Sequence, residues 1–117
     1  MRVLLLEDEK DMQRATARLL HYTFAPVVLT IDIVDNAPGA IELLQQHRYD
    51  FVLSDYVVLR GNGGDVLNWI TANQPDMVKR LVFFSGSSSL RELHPKFIVK
   101  GSDVTEFVEQ LHRYLAP

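Results

Sequence analysis

The chain has 117 residues, 47% of them apolar and 23% charged, and its 12 Lys and Arg against 15 Asp and Glu give a formal net charge of −3. That length holds one hydrophobic core, so residues 1–117 read as a single domain. The acidic balance offers no basic field for nucleic acid, and the absence of cysteine excludes disulfides, thiolate catalysis and Cys-based zinc sites.

Val3-Leu4-Leu5-Leu6 is a continuous apolar run, the pattern of a strand buried on both faces, and it breaks into Glu7-Asp8-Glu9. From Asp11 to Tyr22 the positions Met12, Ala15, Leu19 and Tyr22 recur at helical spacing, which predicts a helix burying them and turning Gln13, Arg14 and Arg18 outward. Pro26 ends that helix, and the β-branched run from Val27 to Val34 predicts a second strand. Asn36 suits an N-cap with Pro38 in the first turn of a helix lined by Ala40, Leu43 and Leu44 and ending near His47. Phe51 to Ser54 reads as a third strand running into Asp55, followed by a loop with Gly61, Gly63 and Gly64. Val66, Leu67, Trp69 and Ile70 then mark a helix stopped before Pro75. Leu81 to Phe84 is a fourth strand ending at Ser85-Gly86, Phe97-Ile98-Val99 a fifth running into Lys100, and Asp103 caps a last helix carrying Phe107, Val108, Leu111 and Leu115.

Strands alternating with helices imply right-handed crossovers and a doubly wound α/β sandwich with a parallel sheet. Ligands in such folds bind beyond the carboxyl ends of the strands, where strand order reverses. The strands end there in Glu7, Asp8, Asp55, Ser85 and Lys100. Converging carboxylates suit Mg²⁺, which keeps waters and bridges to phosphate. A carboxylate beside a metal and an ammonium can attack phosphorus, with Ser85 donating to a phosphoryl oxygen and Lys100 neutralising its charge.

The set resembles the receiver domain of two-component response regulators: Leu6-Glu7-Asp8-Glu9, Leu53-Ser54-Asp55, Phe84-Ser85-Gly86 and Val99-Lys100, in order and each at a strand end. The resemblance implies a (βα)5 flavodoxin-like three-layer sandwich with sheet order 2-1-3-4-5. It implies Asp55 as phosphoacceptor, taking a phosphoryl group from a histidine kinase or histidine phosphotransfer protein and switching a downstream effector protein or domain. Asp8, Asp55 and the backbone carbonyl of Val57 would hold Mg²⁺, with Glu7 acting through water. Ser85, Lys100 and the aromatic switch Phe97 would answer the phosphoryl group, and Gly63 matches the glycine after the acceptor. Val57 and Ser87, each two residues beyond a site residue, would tune hydrolysis; the Val57 side chain cannot orient water.

Several features depart from the family pattern. Ser85 and Lys100 are 15 residues apart (100 − 85), which leaves about one helical turn at Leu90-Arg91-Glu92-Leu93 in place of a full fourth helix. Gly101 follows Lys100 where a proline usually stands. A cis bond there would cost roughly 2.5–4 kcal/mol, and a trans bond would re-aim the lysine. Leu59 replaces a loop proline, and the connection from Thr23 to Val27 is long. The shortened fourth helix and Lys100-Gly101 favour an alternative, a pseudo-receiver acting as a phosphorylation-independent interaction module. A flavodoxin-like enzyme is a third class, and its cofactor or phosphate-cradling loop is not found in the sequence. The four histidines, His21, His47, His94 and His112, read as surface residues, and Trp69, Phe83 and Phe84 as core. The chain reads as a cytoplasmic switch and not an enzyme, with no nucleic acid or membrane partner, and Leu115-Ala116-Pro117 looks like a domain boundary.

Overall fold

The computed structural model describes residues 1–86, 94–101 and 103–115. Strands β1 (Arg2–Leu6), β2 (Thr30–Val34), β3 (Phe51–Ser54), β4 (Leu81–Ser85) and β5 (Phe97–Val99) form one parallel sheet in the order 2-1-3-4-5. Strand residues alternate between two cores. Val3, Leu5, Leu53, Val82 and Ile98 meet α1 (Lys10–Phe24) and α4 (Val104–Leu115) through Leu20, Phe107 and Leu111. Leu4, Leu6, Val52, Leu81 and Phe83 meet α2 (Ala37–Gln46) and α3 (Gly63–Asn73) through Ala40, Leu44, Val66 and Ile70. The result is the expected doubly wound, flavodoxin-like sandwich, with a radius of gyration of 12.9 Å.

Local chemistry sets the helix starts. Asn36 Oδ1 accepts from the Gly39 N–H at 2.7 Å, with Pro38 in the first turn, and Asp103 Oδ1 accepts from the Glu106 N–H at 2.8 Å. Such caps contribute about 1 kcal/mol each. A third cap escaped the sequence pattern. Asn62 and Asp65 form a reciprocal capping box at the start of α3.

Four expectations are corrected. The buried face of α1 is one residue out of phase with the expected one: Gln13, Thr16, Leu20 and Thr23 are buried, while Ala15 and Tyr22 are exposed. Polar groups occupy that face because they have partners. Thr23 Oγ1 donates to the Leu19 carbonyl at 2.6 Å, and Gln13 Nε2 donates to the Glu7 carbonyl at 2.7 Å. Strand β2 begins at Thr30 and not Val27, because the ladder to β1 starts at Arg2↔Thr30. Val27 instead turns back, its N–H donating to the Phe24 carbonyl at 2.8 Å. The long connection therefore spans residues 25–29. His94 is buried and not on the surface, with Nε2 2.7 Å from the Leu81 carbonyl oxygen and the ring edge-on to Phe83. Trp69 is half-buried at the margin of the core, whereas Phe83 and Phe84 are buried as expected.

Pro75 does end α3, but it also opens a 3₁₀ helix, Pro75–Arg80, that leads directly into β4. The single turn expected at 90–93, Ser87 and the boundary at Pro117 lie outside the described residues. Among the described residues, no helix is long and apolar enough to cross a membrane.

Candidate functional site

The site lies where the sheet order reverses, at the carboxyl ends of β1 and β3. The backbone aims its residues. One position past β1, the Glu7 N–H donates to the Val34 carbonyl at 2.9 Å; one past β3, the Asp55 N–H donates to the Leu6 carbonyl at 2.8 Å. Both residues therefore continue the sheet's hydrogen-bond ladder, and their side chains stand on its rim. Carboxylate oxygens of Glu7, Asp8 and Asp55 come within 4.8 Å of one another.

Lys100 closes the cluster. Its Nζ donates at 2.6 Å to Glu7 Oε1 and at 2.6 Å to Asp55 Oδ2. The remaining oxygens are held by main chain: Glu7 Oε2 accepts from the Glu9 N–H at 3.2 Å and Asp55 Oδ1 from the Tyr56 N–H at 2.7 Å. Burial works against the charged ammonium of Lys100. The hydrogen bonds and charges of Asp55 and Glu7 outweigh it, so its pKa lies above the usual lysine value.

The concern over Gly101 is resolved by the backbone. Among the described residues the cis peptide bond is Ala25–Pro26, so Lys100–Gly101 is trans. The lysine keeps its aim because its own N–H donates to the Ser85 carbonyl at 2.9 Å, pinning β5's end beside that of β4. Gly101 then takes φ +92°, a left-handed conformation that glycine adopts without strain.

Other expected residues fall into two groups. Ser85 is buried at the end of β4, paired in register with Val99, next to Lys100. Gly63 opens α3 directly beneath the acceptor: a Cβ there would lie 2.6 Å from Phe83 Cε1 and 2.8 Å from the Asp55 carbonyl oxygen. Val57 follows Asp55 in the loop, bridged to Asn62, and is 67% exposed. Phe97, by contrast, is 3% exposed in the core against α2 and α3, opposite Phe83, and does not reach the rim.

The acceptor loop is also stitched to the turn before α2. The Leu59 N–H donates to the Asp35 carbonyl at 3.2 Å and the Ala37 N–H to the Arg60 carbonyl at 2.9 Å. At the crossing, Gly61 (φ +72°) leaves no room for a side chain, since a Cβ would sit 2.9 Å from that of Ala37.

Three carboxylates against one ammonium leave a formal charge of −2 in a largely buried cleft. Hard oxygen donors with that excess fit one divalent cation, and Mg²⁺ is the ion whose habits match a few carboxylates, water and phosphate.

Comparison with solved structures bears on the fold. The chain superposes on the signal receiver domain of a signal transduction histidine kinase from Syntrophus aciditrophicus with a TM-score of 0.81 at 21% identity, covering 98% of this chain and 89% of that one. The receiver domain of a sensor histidine kinase from Pseudomonas aeruginosa PAO1, described with magnesium coordinated in its active-site cleft, gives 0.82 at 18% identity over 99% and 98%. A LuxR-family DNA-binding response regulator from Staphylococcus aureus gives 0.81 at 16% over 97% and 98%. At these identities the likeness is one of fold. No curated protein matches the sequence. The family model for the response regulator receiver domain matches residues 3–111, across all five strands and their rim of charged residues, and the chain belongs to that family.

Proposed function

We propose that the chain is a working phosphoacceptor: Asp55 takes a phosphoryl group from a phosphohistidine of a sensor histidine kinase or phosphotransfer protein, and the resulting change controls an effector. The observation that carries this reading is the double hold of Lys100 on Asp55 and Glu7, at 2.6 Å each, inside a cluster of three carboxylates. An ammonium so placed is already where charge on the transferred group develops.

Asp55 Oδ2 attacks phosphorus, the P–N bond to the donor imidazole breaks, and its electron pair returns to the ring nitrogen. Lys100 passes from Oδ2 to a phosphoryl oxygen, while the Tyr56 N–H keeps Oδ1 in place. Asp8, Asp55 and the Val57 carbonyl would hold Mg²⁺, with Glu7 acting through water. When bound, the ion screens the attacking carboxylate from the incoming negative charge. Ser85 donates to the phosphoryl group, and Phe97 follows as the aromatic that repacks. The domain turns over no metabolite, so it is a cytoplasmic switch and not an enzyme.

The aim of Lys100 across a trans bond to Gly101 supports this reading over a pseudo-receiver. Intact mass after incubation with Mg²⁺ and acetyl phosphate tests it, with Asp55→Asn as the control. A gain of about 80 Da in the parent alone is expected, the mass of one phosphoryl group. If no adduct forms and beryllofluoride with Mg²⁺ does not bind, the pseudo-receiver reading stands.

A further inference from the structure

Glu7 has a backbone carbonyl with no place in the sheet. The ladder from β1 to β2 ends with Leu6↔Val34, and among the described residues no backbone N–H from a neighbouring strand donates to the Glu7 carbonyl. A side chain from α1 meets it: Gln13 Nε2 donates at 2.7 Å, in a bond buried from solvent. Gln13 is only 9% exposed, in a helix whose charged residues otherwise face outward.

The turn from Glu7 to Glu9 has few other restraints. Glu9 stands at the N-cap of α1 without a side-chain capping bond, and Asp8 is half-buried. Glu7 itself is fixed at its N–H by Val34 and at its carboxylate by Lys100 and the Glu9 N–H. The peptide plane between Glu7 and Asp8 is fixed by Gln13 alone among the described hydrogen bonds. That plane sets where the Asp8 side chain leaves the backbone. Gln13 also lines an open cleft of about 360 Å³ with Lys10, Ile33, Val34 and Asp35.

We infer that Gln13 is a positioning residue for the acidic site: its carboxamide pins the Glu7 carbonyl and thereby aims Asp8 at a divalent cation. The inference rests on the Mg²⁺ reading above and adds a residue from outside the rim. A purely structural glutamine would stabilise α1 against β1 without changing affinity for metal. A positioning glutamine changes the affinity even in a folded protein.

The test compares Gln13→Met, close in length but without a donor, with Leu20→Ala on the same buried face of α1, remote from the acidic turn. Mg²⁺ affinity is measured by calorimetry, and the thermal midpoint in metal-free buffer. Losing one buried hydrogen bond that orients a ligand is expected to weaken Mg²⁺ binding about tenfold in Gln13→Met. Leu20→Ala should lower the thermal midpoint at least as much and keep the parent's Mg²⁺ affinity within about twofold. Parental affinity in Gln13→Met, or an equal loss in Leu20→Ala, overturns the positioning role and leaves the Mg²⁺ reading standing. A folded parent that binds no Mg²⁺ overturns both.

Discussion

Lys100 and Glu7 are separated by 93 positions in sequence and by 2.6 Å in space, Nζ to Oε1. With Asp55 on the same ammonium, this contact ties the last strand to the first and to the central one. The lysine thus offsets the repulsion between the two carboxylates by sitting between them and drawing both in.

Replacing it exposes that repulsion. Lys100→Met should cost about 3 kcal/mol in metal-free urea denaturation, the low end for breaking a buried pair because the lysine side chain keeps 19% of its surface in solvent. Its folded pKa is raised, so the stabilisation is complete below the unfolded lysine value of about 10.4 and is lost as pH rises through the folded value. The gap between parent and variant should therefore hold from pH 7 to about pH 10 and close above it. Millimolar Mg²⁺ should recover part of the loss at neutral pH. A variant as stable as the parent would show that the carboxylates do not need the ammonium.

Gly63 is constrained by space and not by backbone angle. Gly63→Ala should cost roughly 1–3 kcal/mol as overpacking against Phe83 and the Asp55 carbonyl, and should slow phosphorylation by acetyl phosphate through displacement of Asp55. Gly86, where an added Cβ meets nothing within 4 Å among the described residues, supplies the control. Gly86→Ala should be neutral in stability by the same measurement.

His94 makes stability depend on pH. Burial lowers its pKa, Lys96 adds to the effect, and the hydrogen bond to the Leu81 carbonyl offsets only part of it. The unfolded chain therefore binds the proton more readily. This contribution is complete above about pH 6.5 and is lost as pH falls through the depressed folded value. Urea midpoints measured between pH 7 and 5 should fall for the parent and fall less steeply for His94→Gln.

Val57 shows an exposed isopropyl group in the acceptor loop, two residues from Asp55. It has no hydrogen-bonding atom with which to hold an attacking water. Val57→Asn should shorten the lifetime of the phosphorylated state several-fold, read as loss of the added mass over time. An unchanged lifetime would place control of hydrolysis elsewhere.

The strands and the rim were legible in the sequence because continuous apolar runs end abruptly in charged residues, at Leu6-Glu7, Ser54-Asp55 and Val99-Lys100. The α1 face was not, since hydrophobic periodicity gives no weight to a buried glutamine or threonine that finds its own partner. His94 was misread for the same reason: its acceptor, the Leu81 carbonyl, lies on a different strand. Nothing local told Val27 and Val28 from Thr30 to Val34. A β-branched run becomes a strand only where another strand pairs with it, and the ladder to β1 begins at Arg2↔Thr30.

The two stitches between the acceptor loop and the turn before α2 have a mechanical consequence. A shift of residues 59–61 carries the backbone at 35–37 with it, because Leu59 is bonded to Asp35 and Arg60 to Ala37, and Gly61 lies against Ala37. Ten residues of helix follow that point, about 15 Å of rigid rod at 1.5 Å per residue. The glycine-rich segment beside Asp55 is thus coupled through main-chain bonds to the start of α2.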